Sequence, residues 1–319
     1  MPSEGATPVR AVVLGATGFL GSNTVSELLK RRVEVVAFCP KSDRSRILRD
    51  HGIEVVEGDF LNPKTLGIPL KGVDWLIHLA STTSPKESML EPHKEAANLT
   101  ASSLIFQNAI DAGVRKVLFS SSGGTVYGDT GFGPVNETVG TRPVIPYTKT
   151  KLAIESELLD LADGTDTIPI ILRFGNPYGP NQYPTKGTGV IAAWLAAVRD
   201  GKPIIVFGDG ESARDFFYVS DAVAAITMAL GGENARGIYN IGSGTATSLN
   251  KILTIIEEAT NRKPTVMNVM QRPSDAVRAI ALDSSKAKKE FGWEAKVGLQ
   301  QGIALTWKWI RAGEPFTIV

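Results

Sequence analysis

The feature that most constrains this chain is the alternation of short β-branched runs with helical patterns from Arg10 to about Val126. Five such runs predict strands at Arg10–Leu14, Val33–Phe38, Glu54–Glu57, Trp75–Leu79 and Val117–Ser120. Later apolar runs, Ile168–Phe174 and Gly237–Ile241, predict a sixth and a seventh strand. Because strands separated by helices pair in parallel, the sequence predicts an α/β protein with a doubly wound parallel sheet.

A glycine-rich turn follows the first predicted strand. It leads into the helical stretch Ser22–Leu29 and consists of Gly15, Ala16, Thr17, Gly18, Phe19, Leu20 and Gly21. Its glycines permit a tight turn, a close approach of the backbone to a pyrophosphate, and close packing of helix on strand, with the anion at the helix N-terminus. An ordinary turn is the alternative, but this position favours a Rossmann fold that binds NAD(P).

The end of the second strand usually distinguishes NAD from NADP, because an acidic residue there binds ribose hydroxyls and repels a 2′-phosphate. Here the strand ends in Cys39 and Pro40 without an acid, and Lys41, Arg44 and Arg46 follow. These bases favour NADP on electrostatic grounds. A solvated loop is an equal interpretation, so we expect NAD and keep NADP as an alternative.

Two residues after the third predicted strand are further candidates for the cofactor site. Asp59 and Phe60 are suited to flank an adenine, the carboxylate by accepting a hydrogen bond from its amino group and the ring by packing on it. A simple turn at the strand end is equally consistent with these residues.

The chain changes character beyond Asn176. Loops rich in proline and glycine separate helical patterns such as Val190–Arg199 and Leu249–Ala259. We therefore expect a dinucleotide-binding Rossmann domain over residues 1–175 and a smaller substrate-binding lobe over residues 176–319. Residues of about 215–245 are expected to return to the sheet.

A tyrosine and a lysine four residues apart are the main catalytic candidates. Tyr147 and Lys151 follow Pro143 and Pro146, both suited to a helix entry, and therefore share one helix face. A phenol with a pKa of about 10 is a poor base, but a nearby ammonium and a cationic nicotinamide both favour the phenolate. A surface helix pair is the alternative for these two residues alone.

Hydroxyl side chains cluster at the end of the fifth predicted strand. Ser120, Ser122 and Thr125 lie where ligands of open α/β sheets bind. They are suited to hold a sugar oxygen in line with Tyr147, and a turn capped by hydroxyls is the alternative.

Composition excludes several classes of protein. Lys plus Arg (34) nearly cancels Asp plus Glu (33), so no strong field is expected to recruit nucleic acid or a membrane surface. Cys39 is the only cysteine, and the three histidines are scattered, so neither an internal disulfide nor a zinc site is expected. The sequence shows no pattern of a signal peptide and no apolar stretch of bilayer length, and we expect a cytoplasmic protein.

Together these motifs resemble those of the extended short-chain dehydrogenase/reductases, and most of all the UDP-glucose (UDP-galactose) 4-epimerase group. The resemblance covers nearly the whole chain and is carried by Gly15–Gly21, His78–Ser81, Asn98, Ser121–Gly128, Tyr147 with Lys151, Arg173–Pro180, Arg214–Phe216, Arg272–Asp275 and Asp283–Lys286. It implies that the cofactor is also bound by Leu79, Ala80, Ser81, Asn98 and Ser120.

The resemblance further implies that Asn176, Arg214, Arg272 and Asp275 face a nucleotide sugar. Two arginines suit a diphosphate and a carboxylate suits ribose hydroxyls. A local ion pair of Arg214 with its neighbour and a solvated Arg272 are the alternatives.

One departure concerns the catalytic hydroxyl. The catalytic Ser/Thr of the family falls on Gly123, so Ser122 or Thr125 has to supply any hydroxyl that is used. The leading hypothesis is a UDP-sugar 4-epimerase that oxidises C4 transiently to a 4-keto intermediate. The alternatives are an NADPH-dependent 4-ketoreductase of a nucleotide-linked deoxysugar and a non-catalytic NAD(P)-binding sensor. By analogy with the family, we expect a homodimer through the helices Asn98–Ala112 and Tyr147–Leu161.

Overall fold

The computed structural model describes residues 8–62, 70–184, 189–270 and 277–318. Its strands are β1 (Arg10–Leu14), β2 (Glu34–Cys39), β3 (Glu54–Glu57), β4 (Trp75–His78), β5 (Lys116–Ser122), β6 (Pro134–Val135), β7 (Ile168–Phe174), β8 (Asn176–Tyr178), β9 (Ile204–Phe207), β10 (Ala213–Tyr218), β11 (Gly237–Ile241), β12 (Ala246–Ser248), β13 (Val266–Val269) and β14 (Ala281–Leu282). Its helices are α1 (Phe19–Lys30), α2 (Asp43–Asp50), α3 (Pro85–Leu90), α4 (Lys94–Asp111), α5 (Gly123–Val126), α6 (Pro146–Ala162), α7 (Val190–Asp200), α8 (Val219–Gly231), α9 (Leu249–Thr260), α10 (Ser285–Phe291) and α11 (Leu299–Arg311).

A seven-stranded parallel sheet forms the centre of the molecule, in the order β11-β7-β5-β4-β1-β2-β3. Every neighbouring pair in it is parallel. The predicted doubly wound Rossmann sheet is therefore confirmed. The strand order reverses between β1 and β4, and the crevice at their carboxyl ends is where open α/β sheets bind ligands.

The bounds of the seven strands differ little from those predicted. β1, β3, β7 and β11 begin and end at the predicted residues. β2 and β5 run beyond the predicted ends, to Cys39 and Ser122, because pairing continues to these residues. β4 stops at His78, one residue before the predicted end.

Helices cover both faces of this sheet. α1 and α8 bury Val25, Leu28 and Ile226 against one face, and α4 and α6 bury Phe106 and Leu158 against the other. The apolar strands are therefore shielded on both sides, as an all-parallel sheet requires. No helix among the described residues combines the length and the apolar composition needed to cross a membrane.

The later part of the chain builds a second layer of structure beside the sheet. A three-stranded sheet, β12-β10-β8, and the parallel pair β13-β9 pack with α7, α9 and α11 around a core that includes Trp194, Ile252 and Ile303. Within residues 215–245, β11 pairs with β7 and α8 packs against α1. The lobe boundary at residue 175 stays a prediction.

Candidate active site

A cavity of about 540 Å³ lies at the carboxyl ends of the first strands. Nine of the residues predicted to bind the cofactor line it, namely Gly15, Thr17, Gly18, Arg44, Asp59, Phe60, Leu79, Ala80 and Ser81. The glycine turn, the ends of β2 and β3, and the loop after β4 therefore meet around one cavity, which we call the first cavity.

The glycine turn is shaped for a close approach to a ligand backbone. Gly15 has a φ of 80°, and a Cβ atom there would lie 3.1 Å from the amide nitrogen of Ala80. A Cβ atom at Gly21 would lie 2.0 Å from the carbonyl oxygen of Gly15, so that helix α1 packs tightly on the turn. No side chain caps the N-terminus of α1 at Gly18. These features fit a dinucleotide whose pyrophosphate lies at the start of α1.

The remaining residues predicted for the cofactor lie elsewhere. Phe19 lines a second cavity, whereas Leu20 packs against the apolar cores beneath α1. Lys41 is exposed at the rim. Asn98 is buried on α4, and Ser120 accepts a hydrogen bond from Lys151 through its carbonyl oxygen.

The basic residues after β2 do not all lie in a solvated loop, because Arg44 and Arg46 belong to helix α2. The Arg44 guanidinium lies 3.8 Å from the centroid of the Tyr183 ring, and its Nη1 donates to the carbonyl oxygen of Thr17 at 3.4 Å. Arg46 pairs with Asp43 at 3.2 Å on the surface. Of Lys41, Arg44 and Arg46, it is Arg44 that contributes to the wall of the first cavity.

Asp59 and Phe60 form a turn at the end of β3 and also lie at the first cavity, and their contact with an adenine stays a prediction. Asp59 Oδ1 accepts a hydrogen bond from the amide of Leu61 at 3.0 Å, as in a turn at a strand end. Phe60 is 8% exposed and packs edge-on to His78. Both residues nevertheless line the first cavity.

A second cavity, of about 700 Å³, adjoins the first. Among the predicted residues it is lined by Tyr147, Asn176 and Arg214. We infer that the two cavities adjoin at the glycine turn, because Gly18 lines one and its neighbour Phe19 the other, and at the loop after β4, because Thr82 lines the first and Pro85 the second. The predicted base Tyr147 and the predicted substrate residues that the structure describes therefore line one cavity beside the cofactor cavity, whereas Lys151, Ser122 and Thr125 are not in its walls.

Several residues of the second cavity were not predicted from the sequence. They are contributed by the start of α3, by the segment after β8, by α7 and by β9, and include Lys86, Gln182, Val190, Trp194 and Phe207. One feature of the sequence could have indicated this cavity, namely the glycine that precedes the apolar helix α7. Gly189 is the N-cap of α7 and provides no side-chain cap. An uncapped helix N-terminus attracts anions.

Two buried acceptor atoms in the second cavity have no partner among the described residues. They are Asn176 Oδ1 and Gln182 Oε1, and Gln182 is 7% exposed. A buried polar atom without a hydrogen bond is costly. Both atoms are therefore suited to accept hydrogen bonds from the hydroxyl or amide groups of a ligand.

Tyr147 and Lys151 lie one turn apart on α6, as predicted. Lys151 is 6% exposed, and its Nζ donates to the carbonyl oxygen of Ser120 at 2.9 Å. The same nitrogen lies 4.6 Å from the centroid of the Phe119 ring and 5.5 Å from that of Tyr147. The end of β5 thus orients the ammonium beside the phenol.

The pKa values of this pair correct one expectation. Burial lowers the pKa of Lys151 to about 8. Burial, followed by the charge of Glu95, raises the pKa of Tyr147, and Lys151 is not among the causes. The expected lowering of the Tyr147 pKa, which combined the Lys151 ammonium with a cationic nicotinamide, is therefore not produced by the side chains of the protein alone. Further positive charge next to the phenol has to come from a bound ligand.

The candidate hydroxyls at the end of β5 pair with each other. Ser122 Oγ and Thr125 Oγ1 lie 3.0 Å apart. Neither residue is in the described walls of the two cavities, but a Cβ atom at Gly124, between them, would lie 3.0 Å from Oδ1 of Asn176, a residue that lines the second cavity. Ser122 and Thr125 as the catalytic hydroxyls stay a prediction.

A buried polar network lies directly behind α6. Glu155 accepts hydrogen bonds from Ser121 Oγ and from Arg173, whose Nη2 lies 2.6 Å from Glu155 Oε2. Arg173 Nη1 donates to the Tyr127 hydroxyl at 2.9 Å, and that hydroxyl donates to Asn240 Oδ1 at 2.7 Å. The network joins α6 to β5, β7 and β11.

Arg272 and Asp275, both predicted to face the nucleotide sugar, lie outside the described residues. Arg214 is described and lines the second cavity, and its Nη1 donates to the carbonyl oxygen of Ala213 at 2.9 Å.

Comparison with known sequences places this architecture among characterised enzymes. The profile of the NAD dependent epimerase/dehydratase family matches residues 11–242. The chain belongs to this family. The match spans the whole central sheet, including the glycine turn, the Tyr147–Lys151 helix and the edge strand β11.

Individual members of the family resemble the chain over nearly its full length. The dTDP-4-dehydro-6-deoxyglucose reductase of Escherichia coli is 32% identical, and the alignment covers 94% of this chain and 97% of the relative. The UDP-glucose 4-epimerase of Mycolicibacterium smegmatis is also 32% identical, with 95% and 99% covered. The crystal structure of the UDP-glucose 4-epimerase of Thermotoga maritima with UDP-glucose matches with a TM-score of 0.88 at 30% identity, covering 96% and 99%.

Proposed function

We propose that this protein is a nucleotide-sugar 4-epimerase that acts on UDP-glucose and UDP-galactose, or on an N-acetylated analogue, with NAD as its cofactor. The observation that carries the proposal is the location of Tyr147. Tyr147 lines the second cavity together with Phe19 and Pro85. Phe19 and Pro85 follow closely in sequence on Gly18 and Thr82, which line the first cavity. A sugar in the second cavity can therefore meet a proton-transfer group next to a nicotinamide.

The cofactor residues of the proposal are those of the first cavity, with Gly15, Gly18 and the start of α1 at the pyrophosphate. NAD bound there supplies the reversible oxidation of sugar carbon 4, and its cationic ring favours the Tyr147 phenolate.

The protein's own side chains carry the proton transfers. Tyr147 removes the proton of the 4-hydroxyl and later returns it to the ketone oxygen. Lys151, held by the carbonyl oxygen of Ser120, keeps a positive charge beside the phenolate. Inversion at carbon 4 requires that the 4-keto sugar turn over within the cavity before it is reduced again, so the rest of the substrate must be held meanwhile.

The second cavity supports retention of a diphosphate. Arg214 and the uncapped N-terminus of α7 both face it, and each is suited to hold anionic oxygens. Arg272 and Asp275 remain proposed partners for the diphosphate and the ribose. UDP as the nucleotide is supported by the epimerase relatives from Mycolicibacterium smegmatis and Thermotoga maritima.

The proposal is tested by incubating purified protein with UDP-glucose, and separately with UDP-N-acetylglucosamine, without added cofactor. Formation of the C4 epimer, followed by NMR, supports it. The matched variant is Tyr147→Phe, which keeps the ring and is expected to lose about 10² to 10⁴ in rate while binding NADH as the wild type does. Conversion that persists in this variant would contradict the proposed role of Tyr147.

A second candidate is an NADPH-dependent 4-ketoreductase, and it is favoured by Arg44. No acid ends β2, and Arg44 contributes to the wall of the cofactor cavity, where an arginine accommodates a 2′-phosphate. The similarity to the Escherichia coli reductase is consistent with it. Stoichiometric oxidation of NADPH by a 4-keto nucleotide sugar, without interconversion of epimers, would identify this activity.

A third candidate is a non-catalytic NAD(P) sensor, and Gly123 is the observation that favours it. Equal binding of NAD(P) by the wild type and Tyr147→Phe, with no turnover of any nucleotide sugar in a panel, would identify the sensor. Turnover by the wild type alone would exclude it.

We also propose a cytoplasmic homodimer that pairs α4 and α6 with their counterparts in a second copy. In one chain these helices pack side by side, linked by a hydrogen bond from Ser103 Oγ to Glu157 Oε1 at 2.6 Å, and Leu104 on α4 is 36% exposed. Light scattering at micromolar concentration tests the dimer, and a monomer would contradict it.

A further inference from the structure

The loop after β4 separates the two cavities of the site. Ser81 and Thr82 of this loop line the first cavity, whereas Pro85 and Lys86, at the start of the helix α3 that follows it, line the second. Any movement of this loop therefore changes both cavities at once. What fixes Thr83, at its middle, matters for the alignment of cofactor and sugar.

A buried cluster on α4 holds this loop. Thr83 Oγ1 donates to Glu95 Oε1 at 2.5 Å and accepts from Asn98 Nδ2 at 3.1 Å. Asn98 Oδ1 in turn accepts from the amide and the hydroxyl of Thr82, at 3.2 and 2.8 Å. Thr83, Glu95 and Asn98 are 7%, 6% and 4% exposed. Thr82 and Thr83 of the loop are thus fixed to the first two turns of α4.

The partner of Glu95 distinguishes it from the other buried carboxylate near the catalytic helix. Glu155 pairs with the guanidinium of Arg173 at 2.6 Å. Glu95 instead accepts from the neutral hydroxyl of Thr83. Its negative charge is therefore less compensated locally than that of Glu155, and it acts over a longer range in this buried region.

That charge reaches both members of the proton-transfer pair. Burial raises the pKa of Tyr147, and Glu95 raises it further. Burial lowers the pKa of Lys151 to about 8, whereas Glu95 and then Glu155 act to raise it. Among the described residues, His78 on β4 also lies near the pair, and burial followed by the charge of Lys151 lowers its pKa to about 3, so it is neutral. The cationic residues Lys86 and Arg214 line the same cavity as Tyr147.

We propose that Glu95 is a positioning residue of this site. Through Thr83 it fixes the loop that separates the cofactor and sugar cavities, and its buried negative charge keeps Lys151 an ammonium while Tyr147 exchanges its proton. The inference rests on the proposed function for its catalytic consequence. Its electrostatic part concerns Tyr147 and Lys151 themselves and can be tested without turnover.

The test compares Glu95→Gln with Thr83→Val and with a surface control. Glu95→Gln removes the charge but keeps a hydrogen-bond acceptor, and Thr83→Val removes the hydroxyl but keeps the charge. Glu91→Gln removes an equal charge from an exposed residue of the same region, where Glu91 pairs with Lys94. Retained folding of each variant is checked by circular dichroism and NADH binding.

The expected signature is a displacement of the pH profile of kcat/KM. Because Glu95 raises the pKa of both groups, Glu95→Gln is expected to move both limbs to lower pH, by about one unit. Thr83→Val is expected to lower kcat/KM several-fold without moving either limb. A Glu95→Gln profile that coincides with the wild type, or a displacement of the same size in Glu91→Gln, would overturn the proposal.

A second readout separates this inference from the proposed function. The phenolate absorbance is titrated with pH in the NAD-bound wild type and in NAD-bound Glu95→Gln. The same titration is repeated after Tyr147→Phe is added to each of them, and the difference gives the signal of Tyr147. The phenolate is expected at lower pH in Glu95→Gln than in the wild type. If no nucleotide sugar is epimerised but this displacement is seen, the proposed function fails and the role of Glu95 stands. If epimerisation is seen but neither titration moves, the role of Glu95 fails alone.

Discussion

Leu282 occupies the space that a side chain at Gly123 would need. A Cβ atom at Gly123 would lie 2.5 Å from Leu282 Cδ1 and 2.8 Å from the carbonyl oxygen of Arg173. Leu282 is fully buried in a small cluster with Val126 and Tyr127. The position that carries the catalytic hydroxyl in the family by sequence alignment therefore has no room for one in this fold.

We expect Gly123→Ser to destabilise the protein without raising its activity. Forcing a side chain into this packed space should lower the free energy of unfolding by about 1–3 kcal/mol. Urea denaturation measures the loss, and the epimerisation assay measures the activity. The double variant Gly123→Ser/Leu282→Ala, which opens the space, is the control, and a gain in activity in the single variant would contradict the steric account.

The hydroxyl pair Ser122 and Thr125 gives a separate prediction. Since the two oxygens lie 3.0 Å apart, one of them orients the other. We expect Ser122→Ala and Thr125→Ala each to lower kcat by a larger factor than the factor by which KM changes. The kcat of the double variant should be only slightly below that of the less active single variant. Strictly additive losses would indicate two independent roles, and unchanged kcat in all three would exclude both hydroxyls from catalysis.

Arg214 is expected to contribute mainly to substrate binding. Arg214→Met should raise KM for the nucleotide sugar by about ten-fold or more, because a guanidinium that binds a diphosphate contributes roughly 1.5–3 kcal/mol. Arg214→Lys should recover part of the loss, since the charge is kept but the planar fork is not. Arg311→Met, at an exposed arginine of α11, is the control and should leave KM unchanged. An unchanged KM in Arg214→Met would contradict the assignment.

Activity and stability should respond in opposite directions to alkaline pH through Lys151. Its pKa in the folded protein is lowered by burial to about 8, from a usual value of 10.5. Activity that needs the ammonium therefore falls as the pH rises through about 8. Between about 8 and 10.5 the unfolded chain binds more protons at this residue than the folded chain does, so its contribution to the free energy of unfolding rises with pH.

The measurement is a pair of pH profiles, one of kcat/KM and one of the free energy of unfolding, for the wild type and Lys151→Met. The methionine variant should be nearly inactive and should lack this part of the rise in stability. A wild-type alkaline limb at or above the usual lysine pKa of 10.5 would contradict the effect of burial.

Removing one partner of the ion pair between Glu155 and Arg173 is expected to lower the free energy of unfolding strongly. Both side chains are nearly fully buried, at 3% and 6% exposed. Arg173→Met should lower the free energy of unfolding by about 3–5 kcal/mol, because it leaves a buried carboxylate without its cation. Arg173→Met/Glu155→Leu should cost less than the single variant.

The matched control is the exposed pair of Arg10 and Glu54, at 31% and 53% exposed. Arg10→Met is expected to change the free energy of unfolding by less than about 1 kcal/mol. Equal losses for the buried and exposed pairs, measured by urea denaturation, would contradict this ranking.

The local part of this structure could be predicted from the sequence. Runs such as Ile168–Phe174 are apolar because both faces of their strand are covered, and this signal marked their ends to the residue. The glycine turn and the spacing of Tyr147 and Lys151 are likewise local patterns. They identified Gly15, Gly18 and Tyr147, which line the walls of the two cavities, and Lys151, which lies beside Tyr147.

What could not be predicted depends on contacts between distant residues. Asn240 meets Tyr127 across 113 positions of sequence, and neither residue's neighbours indicate the other. The contact of Glu95 with Thr83 depends on how α4 packs beneath the loop after β4, and a glutamate in the first turn of a helix is ordinarily a surface residue favoured by the helix dipole. The filled space at Gly123 depends on Leu282, 159 positions later.

The edge strand β11 has a consequence for how the protein is made. Residues 237–241 pair with β7 only after the chain has left the central sheet and built β8, β9 and β10. During synthesis on a ribosome, the outer backbone edge of β7 therefore stays uncovered while more than sixty further residues emerge, and an uncovered edge invites pairing with another nascent chain. Translation pauses or truncations within that interval are the circumstances in which this protein should be most prone to aggregate.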